Sequence, residues 1–295
     1  MPLAASRSIK SLVPLLFVFL WSTGFIGAKF GLPYASPLSF LLVRYVLVIG
    51  LMLLIALALR APWPKDRRQW MHIGVSGVLV HGVYLGGVFS AIGHGLPAGI
   101  ASLIVGLQPI LTALGAGFWL GDQVSRWQWL GLVMGLSGAT LVLSGKLVWG
   151  AGTAALPLAP MLIPIFAALA GITLGTLYQK RFCPHFDLRS GAVIQFVPAA
   201  LLTFFCMLLW EDFHVEWTGE FVFALLWLVV VLSIGAISLL NLLIRSGSAV
   251  NVASLFFLTP ISTALIAWAL FGETLSGIAL VGMGIAVAGV YLSRR

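Results

Sequence analysis

The sequence predicts an all-α integral membrane protein: ten transmembrane helices arranged as two inverted five-helix repeats, with both termini cytoplasmic. Three observations predict it. The composition is one that only lipid can solvate, a long stretch of the chain occurs twice, and the basic residues favour one side of the membrane.

Composition comes first. The chain is 61% hydrophobic and 8% charged, with a mean hydropathy of +1.10. A soluble fold needs a polar shell, which 16 basic and 8 acidic residues in 295 cannot supply. The net charge of +8 could suggest nucleic acid. The basic residues are scattered over short loops rather than gathered in a stripe, so the expected partners are the lipid bilayer and a small-molecule substrate, with no nucleic acid. Cys183 and Cys206 show no CxxC spacing and no histidine cluster; no disulfide, metal or cofactor is expected.

The duplicated stretch runs over residues 101–141 and again over 253–292. Aligning Pro109 with Pro260 gives an offset of 260 − 109 = 151. At that offset Ile110 meets Ile261, Thr112 meets Thr263, and Ala113-Leu114 meets Ala264-Leu265. Gly121-Asp122 meets Gly272-Glu273, Ser125 meets Ser276, and Gly131 and Gly138 meet Gly282 and Gly289. Each copy is an apolar segment with a central proline, a short Gly-acid turn and a second apolar segment. Paired breaks in a duplicated membrane unit mark a transporter.

About twenty apolar residues cross a bilayer. That length divides the chain into segments 12–30, 38–59, 71–93, 97–119, 127–144, 157–180, 189–210, 221–244, 248–271 and 275–293. The first, although preceded by Arg7 and Lys10, lacks a clean cleavage site and reads as an uncleaved helix. With the N-terminus inside, the inner side holds Arg7, Lys10, Arg60, Lys65, Arg67, Arg68, Arg126, Lys180, Arg181, Arg189, Arg245, Arg294 and Arg295, most of the 16 basic residues. The outer loops hold Lys146 together with Glu211, Asp212, Glu216, Glu220 and Glu273. This is the positive-inside pattern. Five spans per half invert the second half, giving repeats over 1–146 and 147–295 that pack as one bundle. Nothing in the pattern specifies an oligomer.

Candidate functional residues cluster at the breaks. Pro109 and Pro260 lie mid-segment, where proline removes an amide donor and pushes away the carbonyls of Val105 and Phe256. A freed carbonyl must face protein or a wet cavity. Gln108 and Thr259 flank the prolines, with Thr112 and Thr263 one turn on. These could bind substrate; the plainer alternative is a kink with each threonine bonded back to its own helix. Lys29 and Arg44 are the charges within or close to the spans. They could attract a carboxylate or phosphate, or snorkel to the outer headgroups. His81 and Tyr84, three apart, share a helical face. His81 could bind substrate or take part in proton coupling, or bond a neighbouring helix. Trp21 is a further candidate, as are Ser22, Thr23, Thr173, Tyr178 and Gln195. As a set they predict a cavity that is polar but uncharged apart from Arg44. All 8 acids fall in loops. That removes the embedded carboxylate of a proton/cationic-drug antiporter, and the acid or His/acid cluster of an intramembrane enzyme.

Residues 21–45, WSTGFIGAKFGLPYASPLSFLLVRY, resemble the opening of an EamA-type member of the drug/metabolite transporter superfamily. The twice-occurring P-I-x-T-A-L pattern, followed by G-[DE] and a glycine-studded helix, resembles the close of each EamA half. The resemblance covers nearly the whole chain. It implies a ten-helix inverted-repeat bundle with a central cavity, moving small metabolites, often outward. Lys29, Pro37 and Arg44 match recurring family positions, which weighs toward scaffold roles. His81 and Tyr84 resemble the cavity-lining third helix of amino-acid exporters in the superfamily. The expected function is a secondary transporter in the inner membrane, exporting amino acids or related compounds. Drug or organic-cation efflux, nucleotide-sugar transport, and a non-transporting enzyme or sensor are the alternatives.

Overall fold

The computed structural model describes residues 7–96, 98–144, 158–271 and 275–293, apart from the side chains of 7–11, 25, 26, 29, 98, 99, 158, 267, 270 and 271. The 146/147 repeat boundary, Lys146, Glu273, Arg294 and Arg295 lie outside the described residues, as do the side chains of Arg7, Lys10 and Lys29.

The first half folds as α1 (Arg7–Gly31), α2 (Pro37–Ala58), α3 (Arg67–Gly93), α4 and α5 (Arg126–Ser144). Helix α4 is broken: Ala98–Val105, a turn at Gly106 and Leu107, then Gln108–Gly115 running on as a π-helix over Ala116–Leu120. The second half repeats this as α6 (Leu158–Phe182), α7 (Leu188–Trp210), α8 (Gly219–Ser246), α9 and α10 (Gly277–Leu292). Helix α9 consists of Ala249–Ser254, a 3-10 stretch over Leu255–Leu258, and Thr259–Phe271. Among the described residues, 8 helices are long and apolar enough to cross a membrane; α10, and α1 over Leu12–Gly24, are shorter apolar helices. The protein is a multi-pass membrane protein.

One offset relates the two halves. Leu158 follows Arg7, Leu188 follows Pro37, Ala249 follows Ala98 and Gly277 follows Arg126 by 151 residues each, as in 188 − 37 = 151. The π-helices of α3 (Val78–Leu85) and α8 (Leu228–Ala236) recur at the same place in each half. So do the caps. Ser125 caps α5 by accepting from the Gln128 amide at 3.2 Å, and Ser276 caps α10 by accepting from the Ala279 amide at 3.1 Å. Both breaks fall just before their prolines, with Pro109 and Pro260 each at the second position of the half-helix that follows, where a missing amide costs least.

Equivalent helices pack on each other. On α5, a side chain built at Gly131 would meet the Gly289 carbonyl at 2.5 Å, and one at Gly138 would meet the Gly282 carbonyl at 2.5 Å. The contact moves down α10 as it moves up α5, so the two helices are antiparallel. The same holds for α2 and α7, where Tyr45 packs on its own repeat equivalent Phe196 with ring centroids 5.4 Å apart. Without a hydrophobic driving force between helices in lipid, such glycine contacts supply the dispersion that holds the bundle. Across the halves, α1 packs against α8 and α9, and α6 against α3 and α4. Neither half could bury its first helix alone.

Polar contacts tie the helix ends. At the end carrying the α1–α2 connection, the Leu38 amide donates to the Glu211 carboxylate at 2.9 Å. This satisfies an orphan amide at the start of α2; burial raises the Glu211 pKa from its ordinary value, the Leu38 amide opposing. At the α2–α3 end, Asp187 caps α7 by accepting from the Arg189 amide at 2.9 Å and pairs with its guanidinium at 2.7 Å. The guanidinium bond holds the Asp187 carboxyl below its ordinary value of 3.8. A depressed acid contributes stability that is present above its unfolded value and is lost as pH falls through the folded one. Asp187→Ala should therefore cost about 1 kcal/mol at neutral pH. Melting curves should show that deficit closing below pH ~3.8, as the native carboxyl protonates.

Candidate functional site

The repeat symmetry is broken where a cavity lies among α1, α2, α3 and α8. Its walls are Trp21, Gly24 and Ala28 from α1, Arg44 from α2, the Tyr84–Ile92 face of α3, and Leu228, Leu232 and Ile237 from α8. Its volume of about 50 Å³ is room for a few water molecules.

Arg44 is the charged group of this lining. It stands seven residues into α2, about 10 Å deep at 1.5 Å per residue, and is 3% exposed. Its Nε donates to the Ser233 hydroxyl at 2.9 Å, and that hydroxyl donates to the Leu228 carbonyl at 3.1 Å. The π-helix of α8 supports this arrangement, since its wider turn carries the Ser233 side chain back over the carbonyl five residues earlier. Among the described residues Arg44 has no acidic partner. A buried guanidinium without a counter-ion is costly in a bilayer, and an anion entering the cavity would offset that cost.

The floor is aromatic. Trp21 stacks on Tyr84 with centroids 6.3 Å apart and 9° between planes, and meets Phe256 of the α9 break edge-on at 5.3 Å. One residue on, the Ser22 hydroxyl donates to its own helix at the Val18 carbonyl at 2.7 Å and lies 3.3 Å from the Thr259 carbonyl. The cavity thus rests on the discontinuous helix α9, although the break residues do not line it. The lining of this cavity is mostly apolar, and most of the polar candidates lie outside it.

The structure brings Trp21, Tyr84 and Arg44 together and leaves the other candidates apart. His81 lies outside the lining, fully buried with its ring flat on Phe196 at 4.0 Å and, among the described residues, no well-formed hydrogen bond at either ring nitrogen. The three-residue spacing that puts His81 and Tyr84 on one face assumes α-helical winding, but the segment is a π-helix, whose wider turn swings them apart. Gln108, Thr112 and Thr259 are buried, Thr263 is half-buried, and the side-chain oxygens of all four lack a hydrogen-bond partner among the described residues. The threonines do not bond back to their helices, as Thr173 and Thr176 do. Ser233, the contact that holds Arg44 in the lining, was missed by sequence reasoning. A lone serine in an apolar run gives no signal until α2 and α8 are packed.

The comparisons with known proteins agree with this architecture. A crystal structure 22% identical in sequence superposes with a TM-score of 0.76 over 97% of this chain and 96% of the other, which establishes the likeness of fold. An uncharacterized transporter of Bacillus subtilis (strain 168), YvbV, is 27% identical over 97% of this chain and 92% of its own length. An uncharacterized inner membrane transporter of Escherichia coli (strain K12), YedA, is 26% identical over 97% and 91% respectively. A protein of Salmonella typhimurium named a probable amino-acid metabolite efflux pump is 25% identical over 95% of this chain and 92% of its own. These relatives are named as transporters, not enzymes. The family model described as the EamA-like transporter family matches residues 9–144 and again 159–295, and the chain belongs to that family.

Proposed function

We propose that the protein is a secondary transporter of small organic metabolites bearing a carboxylate, with amino acids of apolar side chain as the leading class. It works by alternating access in the inner membrane, in the direction of export. Ten spans with both termini cytoplasmic, divided into inverted repeats over 1–146 and 147–295, form the transport unit. The family match in two segments and the antiparallel packing of α5 on α10 support that division. The name of the Salmonella relative supports the cargo class and direction.

The observation that carries the reading is Arg44. A guanidinium with no acidic partner among the described residues, fixed by Ser233 and framed by Trp21 and Tyr84, matches a carboxylate on a small apolar body. The aromatic wall alone would also suit lipophilic organic cations, but the lining carries a positive charge and no acid. Gln108, Thr112, Thr259 and Thr263, with free polar atoms beside the breaks, would bond the moving half-helices or the passing substrate around Pro109 and Pro260.

A thermal-shift screen of amino acids, carboxylates, sugars, nucleotides and organic cations tests the cargo, because a ligand that binds the folded state raises the melting temperature by mass action. A zwitterion or anion hit is expected. Hits confined to lipophilic cations would replace this reading with drug efflux. Gln108→Ala and Thr259→Ala should each slow flux of the hit severalfold while leaving expression and melting intact; unchanged flux in both would remove the breaks from the route.

A further inference from the structure

The offset of 151 that superposes the halves also carries the Arg44 cavity onto a second place in the bundle, near the α2–α3 end. Arg44 maps to Gln195, Ala28 to Gln179 and Trp21 to Ile172 (44 + 151 = 195), while Leu232 maps back to His81 and Leu228 to Gly77. Where the first place holds a cavity, the second is shut. A side chain built at Gly77 would collide with the Gln195 backbone, and one at Gly175 would meet Val80 at 2.6 Å.

What fills the shut place is polar. Gln179 Nε2 donates to Asn241 Oδ1 at 2.8 Å, and Gln195 Nε2 donates to the Ser76 hydroxyl at 3.0 Å. Gln195 Nε2 also donates to Gln179 Oε1 at 3.4 Å, and these three bonds join four helices, α3, α6, α7 and α8. Gln195 and His81 are 1% and 0% exposed. Among the described residues the Gln195 amide and the His81 ring face each other, but neither Gln195 Oε1 nor either His81 ring nitrogen makes a well-formed hydrogen bond. Unpartnered buried polar atoms are costly, the more so at membrane depth. Packing alone would be better served by the residue found at the equivalent position of the other half, leucine in place of His81. A polar cluster that the closed state leaves unsatisfied is explained if another state satisfies it.

We propose that Gln179, Gln195 and His81 form a second substrate position, the repeat image of the Arg44 cavity, which takes the substrate carboxylate when the bundle opens toward the α2–α3 end. This rests on the transporter reading above. The amide groups of the two glutamines would donate to the carboxylate, and the bonds to Asn241 and Ser76 would break as it enters, so the same side chains latch the closed state and receive the cargo in the open one. Neutral donors replace a guanidinium, so the hold is weaker than at Arg44.

The test uses the full chain with Cys183 and Cys206 replaced by alanine and a cysteine introduced as Ile172→Cys. Membrane vesicles of both orientations are treated with a membrane-impermeant maleimide, and Lys65→Cys identifies the face carrying the α2–α3 connection. The expected result is labelling from that face alone, slowed severalfold by saturating L-leucine, with the protection lost in Gln195→Leu. No labelling from that face overturns the proposal, as does protection that persists in Gln195→Leu. Labelling without protection in vesicles that carry L-leucine also overturns it. Should Gln195→Leu fail to fold, His81→Leu, which restores the residue found in the other half, replaces it with the same expectations. Absence of L-leucine flux in the cysteine-free parent counts against the transporter reading, and labelling in that case would leave an opening with no carried substrate and sink the second position too.

Discussion

Replacing Arg44 by methionine should abolish binding of the carboxylate substrate while leaving the ligand-free protein as stable as before, or more so. The guanidinium is buried, has no acidic partner among the described residues, and spends one donor on Ser233. Truncating one member of a buried charge pair costs about 2–5 kcal/mol of binding, roughly thirtyfold to several thousandfold in affinity. Methionine of similar length keeps the packing against Tyr84 and Leu232 but removes an uncompensated charge, a change that is commonly neutral or stabilising. Arg44→Lys should fall between, because it retains a charge but loses the planar fork and the bond to Ser233. Melting curves with and without the screened ligand check both halves of the expectation. A ligand-free melting temperature that falls sharply in Arg44→Met would assign Arg44 to the scaffold instead.

The second large effect is on folding. Gly282→Leu and Gly138→Leu should each prevent recovery of folded protein, whereas Gly284→Leu, two residues along the same helix, should be tolerated. A side chain at Gly282 would lie 2.7 Å from the Gly138 carbonyl, and one at Gly138 2.5 Å from the Gly282 carbonyl; at Gly284 nothing lies within 4 Å. Overpacking against side chains costs about 1–3 kcal/mol. Here the obstacle is backbone on a rigid helix, which cannot turn aside, so the cost should reach or exceed the top of that range. Monodispersity on size exclusion and melting temperature read the difference directly. Equal behaviour of Gly282→Leu and Gly284→Leu would mean that α5 and α10 do not pack as described.

Much of this was legible in the chain. The offset found by aligning Pro109 with Pro260 also sets the helix starts and the caps at Ser125 and Ser276, because duplicated sequence specifies duplicated local structure. The glycines aligned at that offset touch across the bundle in crossed pairs, Gly131 with Gly289 and Gly138 with Gly282, since equivalent helices are antiparallel neighbours. The site was legible only in part. Arg44 stood out because charge in an apolar segment is costly wherever it points. Trp21 and Tyr84 line the Arg44 cavity as named, while His81, placed beside Tyr84 by helical spacing, lies outside that lining because the segment is a π-helix. Ser233 carried no signal at all. Its role depends on how α8 winds and on its packing against α2, which are tertiary facts. The shut image of the cavity at Gln179, Gln195 and His81 needed both the offset and the coordinates of the first cavity.

The account turns on whether Arg44 holds a carried carboxylate. The most direct measurement is flux of radiolabelled L-leucine, alongside a lipophilic cation, in proteoliposomes of the wild type and of Arg44→Met. The account predicts saturable L-leucine flux in the wild type, its loss in Arg44→Met, and no carrier-dependent flux of the cation. Cation flux without L-leucine flux, or L-leucine flux that survives in Arg44→Met, would contradict it.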